Sequence, residues 1–593
     1  MITLKNKFRQ LILAVLTCVF FLSCQKDLDY VTTDFQFPDF TTKVTSSVSG
    51  FVTDENNAAV LGANISVGGT TTTTDKYGFF EVKNVQVVKN AAVVTVTNPG
   101  YFKGIKTWAA ATGKSAFFRI KLIPKINVGS ISAAGGGNVT LTNGLVISLP
   151  ANAVVNAATN AAYTGSINVA AFWINPAADD LDRIMPGDLR GIDDSGSLKG
   201  LTTYGMAAVE LTGASGELLQ IATGKKATLT IPLPSAALAT APSSIPLWYF
   251  DEGMGLWKQD GSAAKNGNSY VGEVSHFSYW NCDLPNAIVP VTFTVVDASG
   301  NPVNNVFVNI APPNPNPVWA HVQGYTDPSG YVSVFVTPNT QYTLTIFNYN
   351  SSCGNYTQNF SVGTTAVNLG NIVIGTGNIA TIAGTVTNCS NTPVTNGYII
   401  MQDGYQYYRE TLDNTGAFNF VYFNCAAANI NFIAEDLTTL QQSTAVTYPI
   451  VPGMNTIGNI QACGISTQQF LTYTINTGSQ VSFTYPADSI QHNGWGQNIL
   501  AYIQAYTNSS GNNAFLSFDN AGITTGSMQP LRSFKCFSIT DSLTIPNPVN
   551  INITEYGATG EFISGNFSGV LTAYLPPNTP YNISCSFRVR RNF

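Results

Sequence analysis

The chain has 593 residues, with 27 Lys and Arg against 33 Asp and Glu, a formal net charge of −6, 10% charged residues and 11% aromatic residues. This acidic balance argues against nucleic acid as a partner, since no basic face is available to release phosphate counterions. Low charge with abundant aromatic and β-branched residues favours twisted sheets over helices or disorder, and the length allows roughly four domains of about 150 residues.

The chain begins with Lys5, Lys7 and Arg9, followed by an apolar run over residues 11–22. That pattern predicts a secretory signal over 1–23, because the run is too short to span a bilayer as a helix. The run ends on Leu22-Ser23-Cys24, which resembles a bacterial lipobox. The resemblance implies that Cys24 receives lipid and becomes the mature first residue. The following Gln25-Lys26-Asp27 resembles the polar tag that directs Bacteroidetes lipoproteins to the outer leaflet of the outer membrane. It implies a surface-exposed protein, with a periplasm-facing one as the alternative. An ordinary cleaved signal with an incidental Cys24 is the competing reading. Residues 24–47 read as a linker, and no later apolar run approaches membrane-spanning length, so attachment is expected through the lipid.

Three stretches then repeat one pattern. Residues Val48-Ser49-Gly50-Phe51-Val52-Thr53-Asp54 lead to Val60 and to Thr74-Asp75-Lys76-Tyr77-Gly78. Alternating Val291, Phe293 and Val295 lead through Asp297 to Val303 and Asp327-Pro328-Ser329-Gly330. Gly384-Thr385-Val386-Thr387-Asn388 leads to Val394 and Asp413-Asn414-Thr415-Gly416. Period-two alternation predicts half-buried strands. Asp75, Asp327 and Asp413 are expected to open hairpin turns by bonding their own backbone, with Gly78, Gly330 and Gly416 closing them at positive φ. One carboxylate per turn falls short of the six or more oxygens that calcium requires, so no metal is expected there. The pattern resembles the carboxypeptidase-regulatory-like, or transthyretin-like, β-sandwich, repeated over 48–125, 288–374 and 378–463.

Residues 126–287 differ. Gly135-Gly136-Gly137-Asn138-Val139-Thr140-Leu141 and Gly144-Leu145-Val146-Ile147 resemble the start of the β domain shared by zonula-occludens proteins and netrin receptors. Leu247-Trp248-Tyr249-Phe250-Asp251 and His276-Phe277-Ser278-Tyr279-Trp280 resemble the astroprincin and cartilage-intermediate-layer families, which offer no catalytic residues to carry over. Trp248, Trp257 and Trp280 are candidate stacking faces for a sugar ring, against the ordinary reading that aromatics on strands fill a core. The acidic run Asp179, Asp180, Asp182, Asp188, Asp193 and Asp194 suits oxygen-only cation binding in residue type, but it fits no EF-hand spacing, and a solvated loop is the favoured reading.

The segment 464–593 ends on alternating Ile583, Cys585, Phe587 and Val589, and resembles a C-terminal β domain frequent in Bacteroidetes lipoproteins. Arg588, Arg590 and Arg591 read as protection of an edge strand, with an anion site as the alternative. Of the cysteines, Cys18 leaves with the signal, and none of the others forms a C-x-x-C pair. The nearest local disulfides are Cys389–Cys425 and Cys536–Cys585, with small buried thiols as the alternative; spacing does not decide connectivity.

The three histidines, His276, His321 and His492, lie in no zinc-peptidase spacing, and no nucleophile elbow or P-loop is present. The fold expectation is all-β: a string of Ig-like or transthyretin-like sandwiches with a larger central β domain and a C-terminal β domain. The functional expectation is a non-catalytic surface lipoprotein without cofactor or metal, presenting binding or adhesion modules to an extracellular glycan or protein. The alternatives are a structural spacer of the cell envelope and an unrecognised glycan hydrolase, which needs only two suitably placed carboxylates.

Overall fold

The computed structural model describes residues 39–591 except 348–354, 376–378, 405, 425, 486, 496–499, 508–511 and 559. Nearly every regular element in it is a strand. Among the described residues the exceptions are one helical turn, Leu181–Ile184, and a 3-10 turn, Ser235–Ala237.

Each of the three repeats folds as two facing sheets. In the first, strand Lys43–Thr53 lies between Phe79–Val88, to which it is antiparallel, and Ser115–Lys121, to which it is parallel. The opposing sheet runs Thr70–Thr73, Asn64–Val67, Ala92–Thr97, Gly104–Trp108. Alternation is strict where the sheets meet: Ala92, Val94 and Val96 are buried while Val93, Thr95 and Thr97 are only partly so. Their partners across the core are Val48, Val52, Phe80 and Ile120. The second repeat has the same plan, with Val289–Val296 between Tyr331–Val336 and Val367–Val373. In the third, Ile379–Asn388 lies between Ala417–Phe423 and Gly453–Ala462. The first strand is parallel to the last in all three.

The first strand begins at Lys43, inside the stretch expected as linker. Ser46 explains this: its side chain is buried and its Oγ donates to Lys114 O at 2.8 Å, fixing the strand to the turn before the last strand. At the other boundary, the short strand Ile465–Ser466 joins the sheet of the third repeat through Gln441–Gln442.

The central region forms a 13-stranded sheet from Asn127–Ser132 to Tyr279–Asn286, organised by the long strand Leu198–Thr212. The last domain is a 10-stranded sheet. Its final strand, Pro580–Arg590, pairs with Phe470–Ile475 on one side and Phe562–Ala573 on the other. It is therefore interior, and its arginines protect no edge. Arg588 pairs with Glu555 at 2.8 Å, and Arg590 donates to Gly560 O.

The central domain separates the first repeat from the other two in sequence, yet side chains of all three repeats meet. Phe51, Tyr77 and Phe117 of the first, Phe307 and Tyr325 of the second, and Tyr398 and Ile400 of the third form one buried cluster. Arg119 of the first repeat threads it. Its guanidinium lies 5.1 Å from the Phe51 ring centre, and it donates to Asn305 Oδ1 of the second repeat and Tyr407 O of the third. Lys76 donates to Gln442 of the third repeat and approaches Glu561 of the last domain at 3.6 Å. Lys121 pairs with Asp180 of the central domain at 2.9 Å. The first repeat thus touches every other domain. Aromatics dominate such interfaces because each one buries a large apolar area.

Candidate functional site

The turn residues are the most regular feature of the chain. Asp75 Oδ1 accepts from Tyr77 N and Phe79 N, Asp327 Oδ1 from Ser329 N and Tyr331 N, and Asp413 Oδ1 from Thr415 N and Ala417 N, all at 2.8–2.9 Å. Gly78, Gly330 and Gly416 have φ of 73°, 72° and 76°. In each turn a side chain on the glycine would collide with a backbone oxygen, that of Val52, Val295 or Val386. Local turn bonding occupies these carboxylates, and the three turns belong to separate repeats.

Trp248, Trp257 and Trp280 are fully buried, and this overturns their reading as an exposed sugar platform. Trp248 and Trp257 belong to a core cluster with Phe250 and Tyr279, and Trp280 to the main core of the central sheet. The indoles donate inward, to Asp283 O, Asp188 O and His276 O. A strand with neighbours on both sides and apolar layers on both faces has nowhere to expose a ring.

The cysteine expectations also change. Cys389 is bonded to Cys463, not to Cys425, which lies outside the described residues. The parallel ladder of the third repeat ends on Asn388 opposite Ala462, so the next residues of both strands are neighbours. Cys536 and Cys585 are free buried thiols in the core of the last domain, and Cys282 is a third in the central sheet. Burial pushes all three thiols up. Cys24 lies outside the described residues.

The acidic run does not cluster as a metal site, and it is solvated only in part: Asp179 and Asp194 are exposed, while the other four are partly buried. Among the described residues no group of three or more His, Cys, Asp or Glu side chains could hold a metal ion. Asp180 pairs with Lys121, Asp188 with Arg190 at 2.7 Å, and Asp193 closes an Asx turn to Ser195 and Ser197.

Two members of that run help line a cavity of about 460 Å³ where the first repeat, the central domain and the second repeat meet. Lys106 of the first repeat is buried there, its Nζ donating to Asp182 O and Met185 O at 2.6 Å each; burial lowers its pKa to about 8. Arg190 of the central domain is 2% exposed, donates from Nη1 to Asn90 O at 2.7 Å, and lies 4.6 Å from the ring centre of Phe335 of the second repeat. Burial raises the Asp182 and Asp188 carboxyls, against the opposing pull of Arg183 and Lys106 on the first and Arg190 on the second. Trp108, Phe118, Trp319, Tyr325 and His321 complete much of the wall, and burial pushes the His321 imidazole down. A concave space at a domain junction, aromatic with a few polar groups, is where small ligands usually bind. Sequence reasoning missed this site because its residues come from several widely separated segments. Only the acidic run signalled any part of it.

No known protein family matches the chain. Cartilage intermediate layer protein 2 of Mus musculus is 30% identical over 106 residues, 18% of this chain; the chain spans only 9% of that protein's length. Among solved structures, a streptococcal ancillary pilin is 12% identical, covering 38% of this chain and 95% of its own, with a TM-score of 0.14. The Bacillus anthracis TIE protein is 10% identical, covering 72% and 66%, with a TM-score of 0.15. A DUF3823 family protein from Bacteroides ovatus is 11% identical, covering 36% and 98%, with a TM-score of 0.12. Superpositions at these scores carry no argument about function.

Proposed function

We propose that this chain is a non-catalytic lipoprotein of the outer-membrane surface whose β domains form one binding body, directed at an extracellular glycan or protein. The observation that carries the reading is the cavity at the junction of three domains. It is held in place by Lys121–Asp180, the Arg119 contacts and the aromatic cluster. Rigid sandwiches that share such a junction suit recognition more than reach. The same packing weighs against a spacer, because a stalk would set its domains end to end. The membrane part of the proposal rests on the signal-like segment and Cys24.

A second reading has one observation in its favour. Asp182 and Asp188 line the same cavity with raised pKa values, and two carboxylates are the minimum for glycoside hydrolysis. The tie of Asp188 to Arg190 at 2.7 Å opposes this, because a guanidinium stabilises the ionised form of a would-be proton donor.

The test is to compare cells carrying the natural chain with cells carrying Cys24→Ala. Lipid labelling, removal by external protease and retention on immobilised glycans and proteins should all be present in the first and lost in the second. Retention by neither would overturn the binding proposal. Labelling of Cys24→Ala would overturn the anchor, and turnover of aryl glycosides by the purified protein would replace binding with hydrolysis.

A further inference from the structure

The cavity touches residues 331–337 of the second repeat without a gap. A space over one face of a strand meets every second residue, so an unbroken run places this one along the strand's edge. Tyr331–Val336 is such an edge: it pairs with Val289–Val296 on one side and with no strand on the other. Opposite residues of an antiparallel pair alternate between bonded and non-bonded. Val295 N donates to Gly330 O at 2.8 Å, which puts Val332, Val334 and Val336 in the bonded set. The N–H and C=O groups of Tyr331, Ser333 and Phe335 therefore point away from Val289–Val296, to the side where the cavity lies. Two details agree. Tyr331 uses both groups on Asp327, beyond the edge, and Phe335 stands opposite Pro290, which has no N–H to give. At the far end Thr337 N donates to Tyr342 Oη at 2.9 Å. Between these ends the N–H and C=O of Ser333 and Phe335, both partly buried, have no partner among the described residues.

We propose that the cavity binds a short, uncharged, extended peptide segment of a partner protein, which adds beside Tyr331–Val336 as a further strand of that sheet. Backbone donors and acceptors repeating every second residue match another extended backbone, and main-chain bonds of this kind are how an open sheet edge takes up a peptide. Partly buried backbone groups seldom go unpaired, so an edge beside a cavity calls for a partner. Edges left open are normally guarded by charge, proline or a bulge. The corresponding strand of the first repeat, Phe79–Val88, carries Glu81 and Lys83. Tyr331–Val336 has no charged residue, no proline and no register shift. The buried cations of the cavity are matched within the protein, Arg190 by Asp188 and Lys106 by two carbonyls, which favours a neutral ligand. The cavity reaches the surface at Lys114, Asn316 and Thr337, which line it and are exposed. The inference rests on the binding function proposed above, takes its protein arm, and adds the ligand class and its contacts.

The probes are acetylated, amidated hexapeptides that alternate Thr or Ser with Val, Ile or Tyr. They are titrated into the full-length protein in detergent, with hydrogen exchange read residue by residue. At least one should bind and slow exchange at Ser333 and Phe335 about tenfold or more, leaving Val332 and Val334, already bonded to Val289–Val296, unchanged. The same peptide methylated at every amide nitrogen keeps its side chains but has no N–H to donate, and its affinity should fall about tenfold or more. Ser333→Pro removes one outward N–H and no bond to Val289–Val296, a change that an edge strand tolerates. It should melt within the error of the parent and weaken binding about tenfold, the loss expected for one hydrogen bond. If that variant does not fold, the methylated peptide decides alone. Three results would overturn the inference: no hexapeptide binds, a bound one leaves Ser333 and Phe335 unprotected, or affinity survives methylation or Ser333→Pro in the folded protein. Retention of cells on immobilised ligands that saturating peptide does not disturb would leave the binding function standing while removing this site from it. Peptide binding by a protein that cells do not display would keep the site and overturn the surface reading.

Discussion

Replacing Gly78 with Ala tests whether the repeated turn is held by backbone conformation alone or also by close packing. Gly78 has a φ of 73°, and its carbonyl accepts from Val52 N at 2.8 Å. A methyl group there would press on Val52 O, a backbone atom that cannot rotate aside, and Val52 O already accepts from Val60 N at 3.0 Å. The left-handed conformation costs an L residue about 1–2 kcal/mol. Overpacking against a fixed neighbour adds about 1–3 kcal/mol, for a total of roughly 2–5 kcal/mol. Gly100, in the same repeat, provides the control: its φ is 83°, yet nothing lies within 4 Å of the added carbon. Gly100→Ala should therefore cost only the conformational part, about 1–2 kcal/mol. A chain of several domains does not unfold in one two-state step, so the readout is local. Hydrogen exchange of Lys43–Thr53 and Phe79–Val88 in rising urea reports the repeat directly. Gly330→Ala and Gly416→Ala should repeat the result in their own repeats. If Gly78→Ala proves no more damaging than Gly100→Ala, the close approach plays no part and the reasoning fails.

Trp248→Ala, Trp257→Ala and Trp280→Ala should each destabilise the central domain by about 3–5 kcal/mol, as large-to-small changes in a core do; a stable variant that loses only ligand retention would reverse this assignment. Peptide mapping should find Cys389 joined to Cys463, with Cys282, Cys536 and Cys585 alkylated only after denaturation. Reduction should destabilise the third repeat by about 2–4 kcal/mol, and a Cys536–Cys585 link would contradict the structure. Burial, opposed by Arg409, raises the Glu410 carboxyl to about 7 from the ordinary 4.5. A carboxyl with a folded-state pKa above its unfolded one contributes stability that is full below pH 4.5 and is lost as the pH rises through about 7. Glu410→Gln should flatten that fall in a urea titration at several pH values, and an unchanged slope would show that Glu410 does not carry it.

Features governed by a few adjacent residues were legible in the sequence. Asp75 and Gly78 need only each other's backbone to form their turn, and the same holds for Asp327 with Gly330 and Asp413 with Gly416. Strand alternation marked all three sandwiches and the central and last domains for the same reason. Features governed by what lies across a sheet were not legible. Trp248 and Trp280 sit on paired strands, and which face of a strand meets the core depends on layers contributed by distant segments. The partner of Cys389 is 74 residues away, and only the parallel course of the first and last strands brings the two together. Arg588 and Arg590 read as edge charges because charged side chains commonly guard an edge strand, yet that strand has a neighbour on either side. The cavity was invisible for the same cause: Lys106, Asp182 and Arg190 converge only once two domains have docked.

The parallel arrangement of first and last strands also decides how each repeat carries tension. The chain enters at the start of one strand and leaves from the far end of its parallel neighbour. A pull on the two ends therefore shears the whole ladder at once, from Ser47 opposite Ser115 to Thr53 opposite Lys121 in the first repeat. Such a ladder resists more than a hairpin that opens one rung at a time. The third repeat goes further, because Cys389 follows directly on strand Ile379–Asn388 and Cys463 on strand Gly453–Ala462. Force arriving at Ile379 runs along that single strand, crosses the sulfur bridge and leaves at Cys463. The chain between the two cysteines carries none of it, so this repeat can be dragged on without paying out its length.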